Sequence, residues 1–279
     1  MTPDAVEGDG VEFANPPLNE VVFSVQFESN VIDEVGTLAE FWPKIRNDFP
    51  RLEKQPPLPP ASESFDAPAA GGEMQFQLMQ GAPPQRYWFL SEDGTLVVQV
   101  QEDRFMFNWR QVEGTEDYPR YRVLAPRFLE LLATFLSCDR VDSASATASW
   151  VELQYINPIE APRTDGVTHG QLAHILNFLE TDPPRTSLPA VEDTQLQQRF
   201  RLCDEDGHPR GRLYLTAVPA IRATDAAPLY VVTLLARGRP LADGLVDGVQ
   251  GFLDLAHQLI IHGFREVTTP EMHELWGET

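Results

Sequence analysis

The sequence predicts an α+β fold of two similar halves, each an antiparallel sheet packed on a long C-terminal helix. Three observations lead there. Period-two hydrophobic runs recur between turns rich in Gly, Pro and acidic residues, a long amphipathic helical stripe closes each half, and the order strand, helix, proline-rich link, meander, long helix occurs twice. The matching division is a flexible leader over 1–14, a first half over 15–140 and a second half over 141–279.

Residues 1–14 are acidic and lack periodicity, so order is expected from Asn15-Pro16-Pro17 onward. Within Leu18–Glu28, Val21, Phe23, Val25 and Phe27 share one face, with Val22, Ser24, Gln26 and Glu28 on the other, which is the period of a half-buried strand. Between Val31 and Phe49, Val35, Leu38, Phe41, Trp42 and Ile45 fall at three- and four-residue intervals and predict a helix packed on that strand, with Pro43 early in it or bending it. From Pro50 to Gly72 the prolines 50, 56, 57, 59, 60 and 68 exclude a regular element and predict a polyproline-like connection. Alternating stretches near 74–80, 85–90, 95–101 and 104–110 read as a β-meander. Tyr121, Leu124, Phe128, Leu131, Leu132 and Phe135 then give a helix over Tyr118–Leu136, capped by Asp117 and with Pro119 in its first turn.

The second half repeats the order. A strand at 146–156 leads into a helix at 168–180, with Thr168 as N-cap and Leu172, Ile175, Leu176 and Leu179 as its stripe. A proline-rich link at 181–190 follows, then strands near 195–203, 210–219 and 228–237. The last long helix, about 243–264, carries the stripe Leu245, Val249, Phe252, Leu253, Ala256, Leu259, Ile260 and Phe264.

The composition narrows the function classes. With 21 basic and 42 acidic residues among 279, the formal charge is −21. Such a field disfavours nucleic-acid backbones and anionic membranes, so neither is expected as a direct partner. At 42% hydrophobic the chain still has ample core material, which excludes a disordered protein. Cys138 and Cys203 lack metal-ligand spacing and read as free, buried thiols in a reducing compartment. The N-terminus has no basic and apolar signal regions, and no apolar run reaches membrane-spanning length, so the expected location is cytoplasmic.

Three stretches carry a family resemblance: Asn15-Pro16-Pro17-Leu18-Asn19-Glu20-Val21-Val22-Phe23, Leu153-Gln154-Tyr155-Ile156-Asn157-Pro158-Ile159, and Leu255-Ala256-His257 through Phe264 to Thr268 with Trp276-Gly277. In order and spacing they resemble an uncharacterised, sporadically distributed bacterial family of about this length. The resemblance implies no catalytic residues. Sporadic distribution is typical of toxin–antitoxin and phage-defence loci, so it implies a conflict-system role.

The chemical signatures are sparse. There is no G-x-x-x-x-G-K-[ST] and no G-x-G-x-x-G between strand and helix, and the only lysines are Lys44 and Lys54. Gly244, Gly248 and Gly251 are read as letting the last helix lie close to a sheet. His257 and His262 are five residues apart, which puts their rings about 140° apart around a helix, unlike the i, i+4 pair a zinc site wants. His169 and His174 share that spacing, and His208 sits in a turn where exposure is expected. The paired acids Glu92/Asp93, Glu102/Asp103, Glu116/Asp117, Glu192/Asp193 and Asp204/Glu205/Asp206 fall at turns and read as solvated tips. Tyr87-Trp88-Phe89 and Phe105, Phe107 and Trp109 could stack bases, but with only Arg86, Arg104 and Arg110 beside them they read as core under a helix. Asn157 is expected to tie its strand to a loop.

No catalytic, cofactor-binding or metal-ligating residue is assigned. The expected function is a non-enzymatic protein-interaction module that binds a basic protein partner, as an antitoxin, immunity or phage-defence accessory protein. The alternative is a small-molecule or lipid-binding module with a cavity between sheet and long helix, lined by residues such as Phe105, Phe107, Leu253 and Leu259. An enzyme would need His257, His262 and His273 to converge with nearby acids.

Overall fold

The computed structural model describes residues 13–32, 34–65, 85–113, 118–143, 146–161, 169, 171–179, 187 and 191–278. The fold is α+β: among the described residues, nine strands form one antiparallel sheet, with four helices. In chain order these are β1 (Glu20–Phe27), α1 (Glu34–Ile45), β2 (Arg51–Gln55), β3 (Arg86–Leu90), β4 (Leu96–Gln101), β5 (Arg104–Arg110), α2 (Tyr121–Leu136), β6 (Ala148–Ile159), β7 (Leu196–Cys203), β8 (Pro209–Ile221), β9 (Pro228–Gly238), α3 (Leu245–Val267) and α4 (Pro270–Trp276). The sheet order is β2-β3-β4-β5-β1-β6-β9-β8-β7, so β1 and β6 lie side by side near the middle.

Register follows the alternation in sequence. Phe23 pairs with Phe107 on one side and Leu153 on the other, which places the apolar residues of β1, β5 and β6 on one face. Helices α1, α2 and α3 cover that face. Phe41 of α1 meets Phe89, Phe105 and Phe135 edge-on, and the Phe105 and Phe135 rings of β5 and α2 lie 4.9 Å apart. The aromatic groups 87–89 and 105–109 therefore separate by parity. Tyr87, Phe89, Phe105, Phe107 and Trp109 enter this core, while Trp88 points to the opposite face between Arg86 and Arg110.

The opposite face is crossed by an extended strap, residues 56–65. Gln101 of β4 and Gln26 of β1 each use both ends of their amide, on the N–H and C=O of Leu58 and of Ala61 respectively. Arg86 and Arg104 donate to the carbonyls of Pro56 and Pro59. At its far end, the Glu63 carboxylate is held by Arg212, Arg237 and Tyr214, with its side chain 1% exposed. Prolines lack N–H donors, so a proline-rich strap leaves few donors to satisfy and suits side-chain clasping rather than strand pairing.

The structure changes several expectations. Arg51–Gln55, inside the stretch expected to hold no regular element, is the edge strand β2 paired with β3; it is polar and largely exposed, so alternation gave no signal. The prolines that follow it do end it. The strand expected at 74–80 lies outside the described residues, as does Asp117. The Tyr118–Leu136 helix begins at Tyr121, so Pro119 precedes it, and Arg120 at φ 75° takes the capping position.

The helix expected at 168–180 is also overturned. Its described residues form one 3-10 turn, Leu172–His174. Thr269 donates its N–H to Ile175 and its hydroxyl to the His174 carbonyl, and Asn177 donates to Val267, so pairing to the end of α3 takes backbone groups a helix would use. The stripe residues Leu172, Ile175 and Leu176 are still buried.

Gly248 and Gly251 do not bring α3 onto the sheet. A Cβ at Gly248 would meet the loop at Ala242 and Pro240, and the close approach to the sheet is made by Gly238, whose Cβ would lie 2.3 Å from the Phe252 ring. Phe13, within the expected leader, is buried against Phe264 and Trp276 and pairs with Glu278. Cys138 is buried as expected but Cys203 is exposed, and both thiols are free.

Candidate functional site

A cavity of about 250 Å³ opens where the chain entering α2 and the middle of α3 meet the ends of β1 and β6. Phe13, Leu18, Ile260, Ile261 and Phe264 supply apolar wall, and Tyr118, Tyr121, Tyr155, Asn157 and His257 supply polar groups. The helical period of α3 explains one side: Asp254, His257, Gln258 and Ile261 recur at three- and four-residue steps and share a flank. Tyr155 comes from β6, opposite Val21 and Leu234. Tyr118 sits just before α2, its ring 5.2 Å from Trp109.

These groups form a hydrogen-bonded relay. The Tyr118 and Tyr155 hydroxyls lie 3.1 Å apart, and the Tyr155 hydroxyl lies 2.9 Å from His257 Nδ1. The Tyr121 ring stacks on His257 at 3.9 Å with 5° between planes, and its hydroxyl donates to Asp254 at 2.8 Å. Burial pushes the His257 imidazole down to about 4, helped by repulsion from His262. Burial also lifts the Tyr118 phenol to about 12 and the Tyr121 and Tyr155 phenols well above their usual range, with the Asp254 carboxylate adding to the effect on Tyr121. The relay is therefore neutral at pH 7.

Comparison with protein-family models, curated proteins and solved structures gives no match for this chain.

The charged residues at the cavity wall are Arg120 and Arg122, and among the described residues no carboxylate lines it. Arg120 is held by two contacts, its guanidinium donating to the Phe13 carbonyl at 3.2 Å and lying 5.9 Å from the Tyr118 ring. Its positive φ is costly for a residue with a Cβ, and such strain gathers at ligand sites. The arrangement can offer hydrogen bonds from a neutral His–Tyr pair and positive charge at the rim to a ligand with an apolar body.

The histidines do not converge. His257 faces the cavity, His262 is exposed and paired with Gln258, and His273 bonds Thr268 and faces Glu278. His169 packs near Tyr230 and His174 lies in the 3-10 turn, so the helix that would have carried both does not form. Asn157 bonds the Val232 carbonyl of neighbouring β9, tying strand to strand rather than to a loop. Phe105 and Phe107, named for an expected cavity, are fully buried in the aromatic core.

At the β7–β8 turn, Asp204, Asp206 and His208 bring ligand atoms within 4.8 Å of one another, a grouping not anticipated from sequence. Asp204 Oδ1 already accepts from the backbone N–H groups of Asp206 and His208, which accounts for the grouping as turn structure. The tyrosines were also missed. Their signal was modest: Tyr118 and Tyr121 at an i, i+3 interval, and Tyr155 on the face shared by the core residues of β6. Among the described residues, no helix is long and apolar enough to cross a membrane.

Proposed function

We propose that this chain binds a small, mostly apolar molecule bearing a hydrogen-bond acceptor or an anionic group. The observation that carries the reading is the cavity lining: apolar walls, a neutral Tyr118–Tyr155–His257 relay, and Arg120 and Arg122 as its charged residues in a chain of net charge −21. An enclosed cavity of about 150 Å³ takes one benzene ring. The 250 Å³ here suits a substituted aromatic acid or a short fatty acid.

The test is a thermal-shift and calorimetric screen of aromatic carboxylates and C6–C10 fatty acids. It compares the wild type with Ile261→Trp, which fills the cavity, and Arg120→Ala, which removes the rim charge. Saturable binding lost in Ile261→Trp and weakened in Arg120→Ala supports the reading. Equal behaviour of all three proteins refutes it.

Recruitment of a basic protein partner stands as a second reading, supported by the exposed acids Glu205 and Asp206 at the β7–β8 turn and Glu92 at the β3–β4 turn. We also propose that the chain descends from a duplicated unit. The support is topological: from the antiparallel β1–β6 pair outward, β5, β4 and β3 on one side correspond in order to β9, β8 and β7 on the other. Each series is followed in the chain by a long helix, α2 or α3.

A further inference from the structure

The net charge of −21 conceals an uneven distribution. Strands β7, β8 and β9 contain no acidic residue, yet they carry Arg199, Arg201, Arg210, Arg212 and Arg237, with Arg239 one residue beyond β9. The register puts Arg199, Arg201, Arg212 and Arg237 on one face, the one opposite the helices; Arg239 lies there over the Trp150 ring, and Arg210 sits at the register shift that ends the β7–β8 pair. Arg199 pairs with Tyr214, Arg201 with Arg212, and Arg212 with Arg237, while Arg210 and Arg239 each lie two residues further along. Neighbouring strands are about 4.8 Å apart and same-face residues about 6.7 Å apart along a strand, so the guanidinium groups stem from a staggered grid, with Arg201, Arg212 and Arg237 in one row, Arg199 on one side of it and Arg210 and Arg239 on the other.

Three members have acidic partners within the chain. Arg212 and Arg237 hold the Glu63 carboxylate of the strap, and Arg237 also holds Glu152. Arg210 lies 3.6 Å from Asp204. Arg199, Arg201 and Arg239 are exposed, and among the described residues no carboxylate lies within ion-pair distance of them. Like charges set directly across a sheet repel. Arg239 rests 5.2 Å from the Trp150 ring, but Arg199 and Arg201 have no such support among the described residues, and an anionic partner would remove the repulsion.

The shape of the patch selects the partner. A membrane or a nucleic-acid duplex touches a wide area and would meet the acidic remainder of the surface. A single strand is narrow enough to follow the arginines, where Glu63, Glu152 and Asp204 offset three of the six charges, and at physiological salt the Debye length of about 8 Å screens acids further away. The strap also models such a ligand. It presents a carboxylate at Glu63 and, two residues on, an aromatic ring at Phe65 that lies 4.4 Å from the Arg212 guanidinium. A phosphate followed by a stacked base offers the same chemistry.

We infer that the arginine grid on the strap-bearing face of β7, β8 and β9 binds single-stranded nucleic acid through its phosphates. The site is separate from the cavity and does not depend on the reading proposed for it.

The test is fluorescence anisotropy of the full chain with a labelled 20-nucleotide single strand at several salt concentrations. Parallel titrations use the matching duplex, a poly-glutamate peptide and vesicles containing phosphatidylserine. Wild type should bind the single strand with a negative slope of log affinity against log salt. The exposed double variant Arg199→Glu/Arg201→Glu should lose about tenfold or more and flatten that slope, since each phosphate contact contributes about 0.7 to it. Arg199→Lys/Arg201→Lys should retain most of the affinity, and Glu63→Gln, which lifts the internal competitor, should strengthen it. Unchanged binding in the charge-reversed variant overturns the inference, as does absence of wild-type binding at low salt. Equal or tighter binding of the duplex, the peptide or the vesicles also overturns it.

Discussion

Protonation of His257 should be coupled to the stability of the whole fold. The imidazole is enclosed by Tyr121 and Tyr155, and its folded pKa is about 4 against an ordinary 6.5. Between those values the unfolded chain takes up a proton that the folded chain refuses. Stability is therefore complete above about pH 6.5 and declines as pH falls toward 4. The full loss is about 2.5 pKa units at 1.36 kcal/mol each, or about 3 kcal/mol, of which about 2 kcal/mol is gone by pH 5. The perturbation is His257→Gln, whose amide can still accept from Tyr155 but does not titrate. Urea unfolding followed by tryptophan fluorescence at pH 7.5, 6.0 and 5.0 measures the difference between the two proteins. The wild type should be the more stable at pH 7.5, and its margin should shrink by about 2 kcal/mol at pH 5. Parallel curves, with a constant margin across that range, would refute the coupling and with it the picture of a closed, neutral relay.

Three further outcomes test other parts of the structure. Tyr155→Phe leaves Tyr118 and His257 without their shared partner and should cost about 1–3 kcal/mol in denaturant unfolding, while weakening any cavity ligand. Gly238→Ala drives a methyl into the Phe252 ring and should destabilise by about 1–3 kcal/mol; an unchanged melting temperature would mean that α3 can move off the sheet. Phe135→Ala, which removes a ring in contact with Phe27, Phe41 and Phe105, should cost about 3–5 kcal/mol by chemical denaturation.

The strands β1, β3 to β9 and the helices α2 and α3 were legible because their hydrophobic residues follow a single period over many positions. Where local pattern and tertiary pairing disagreed, pattern lost. Leu172, Ile175, Leu176 and Leu179 repeat as a helix should, but the segment spends its backbone groups on Val267 and Thr269. The edge strand β2 has no buried face to leave a mark in the sequence, and only its partner β3 defines it. The cavity was harder still. It joins residues 13, 118, 155 and 257, whose meeting depends on the order of strands in the sheet, and the sequence gives no direct reading of that order. His257 was considered only as half of a His257/His262 pair, whereas its relevant neighbours are tyrosines more than a hundred residues away. Summing charge over the whole chain likewise hid the acid-free strands β7 to β9, although their composition was plain in the sequence.

The β1–β6 contact is the seam of the molecule. Its pairs run from Glu20↔Ile156 to Phe27↔Ala148, and the same strands hold the edges of both flanking series. A protease cut in the link between α2 and β6 would sever the chain but leave this ladder intact, so the two pieces should stay associated and the cut should be nearly silent in shape. Separate expression has the opposite consequence. Each piece alone would present the bare ladder of β1 or β6 to solvent, and because the seam is antiparallel, that ladder is suited to pair with a second copy of itself. Fragment complementation and self-association thus compete for the same row of backbone groups, and the covalent link between α2 and β6 decides the competition by holding the right partner close.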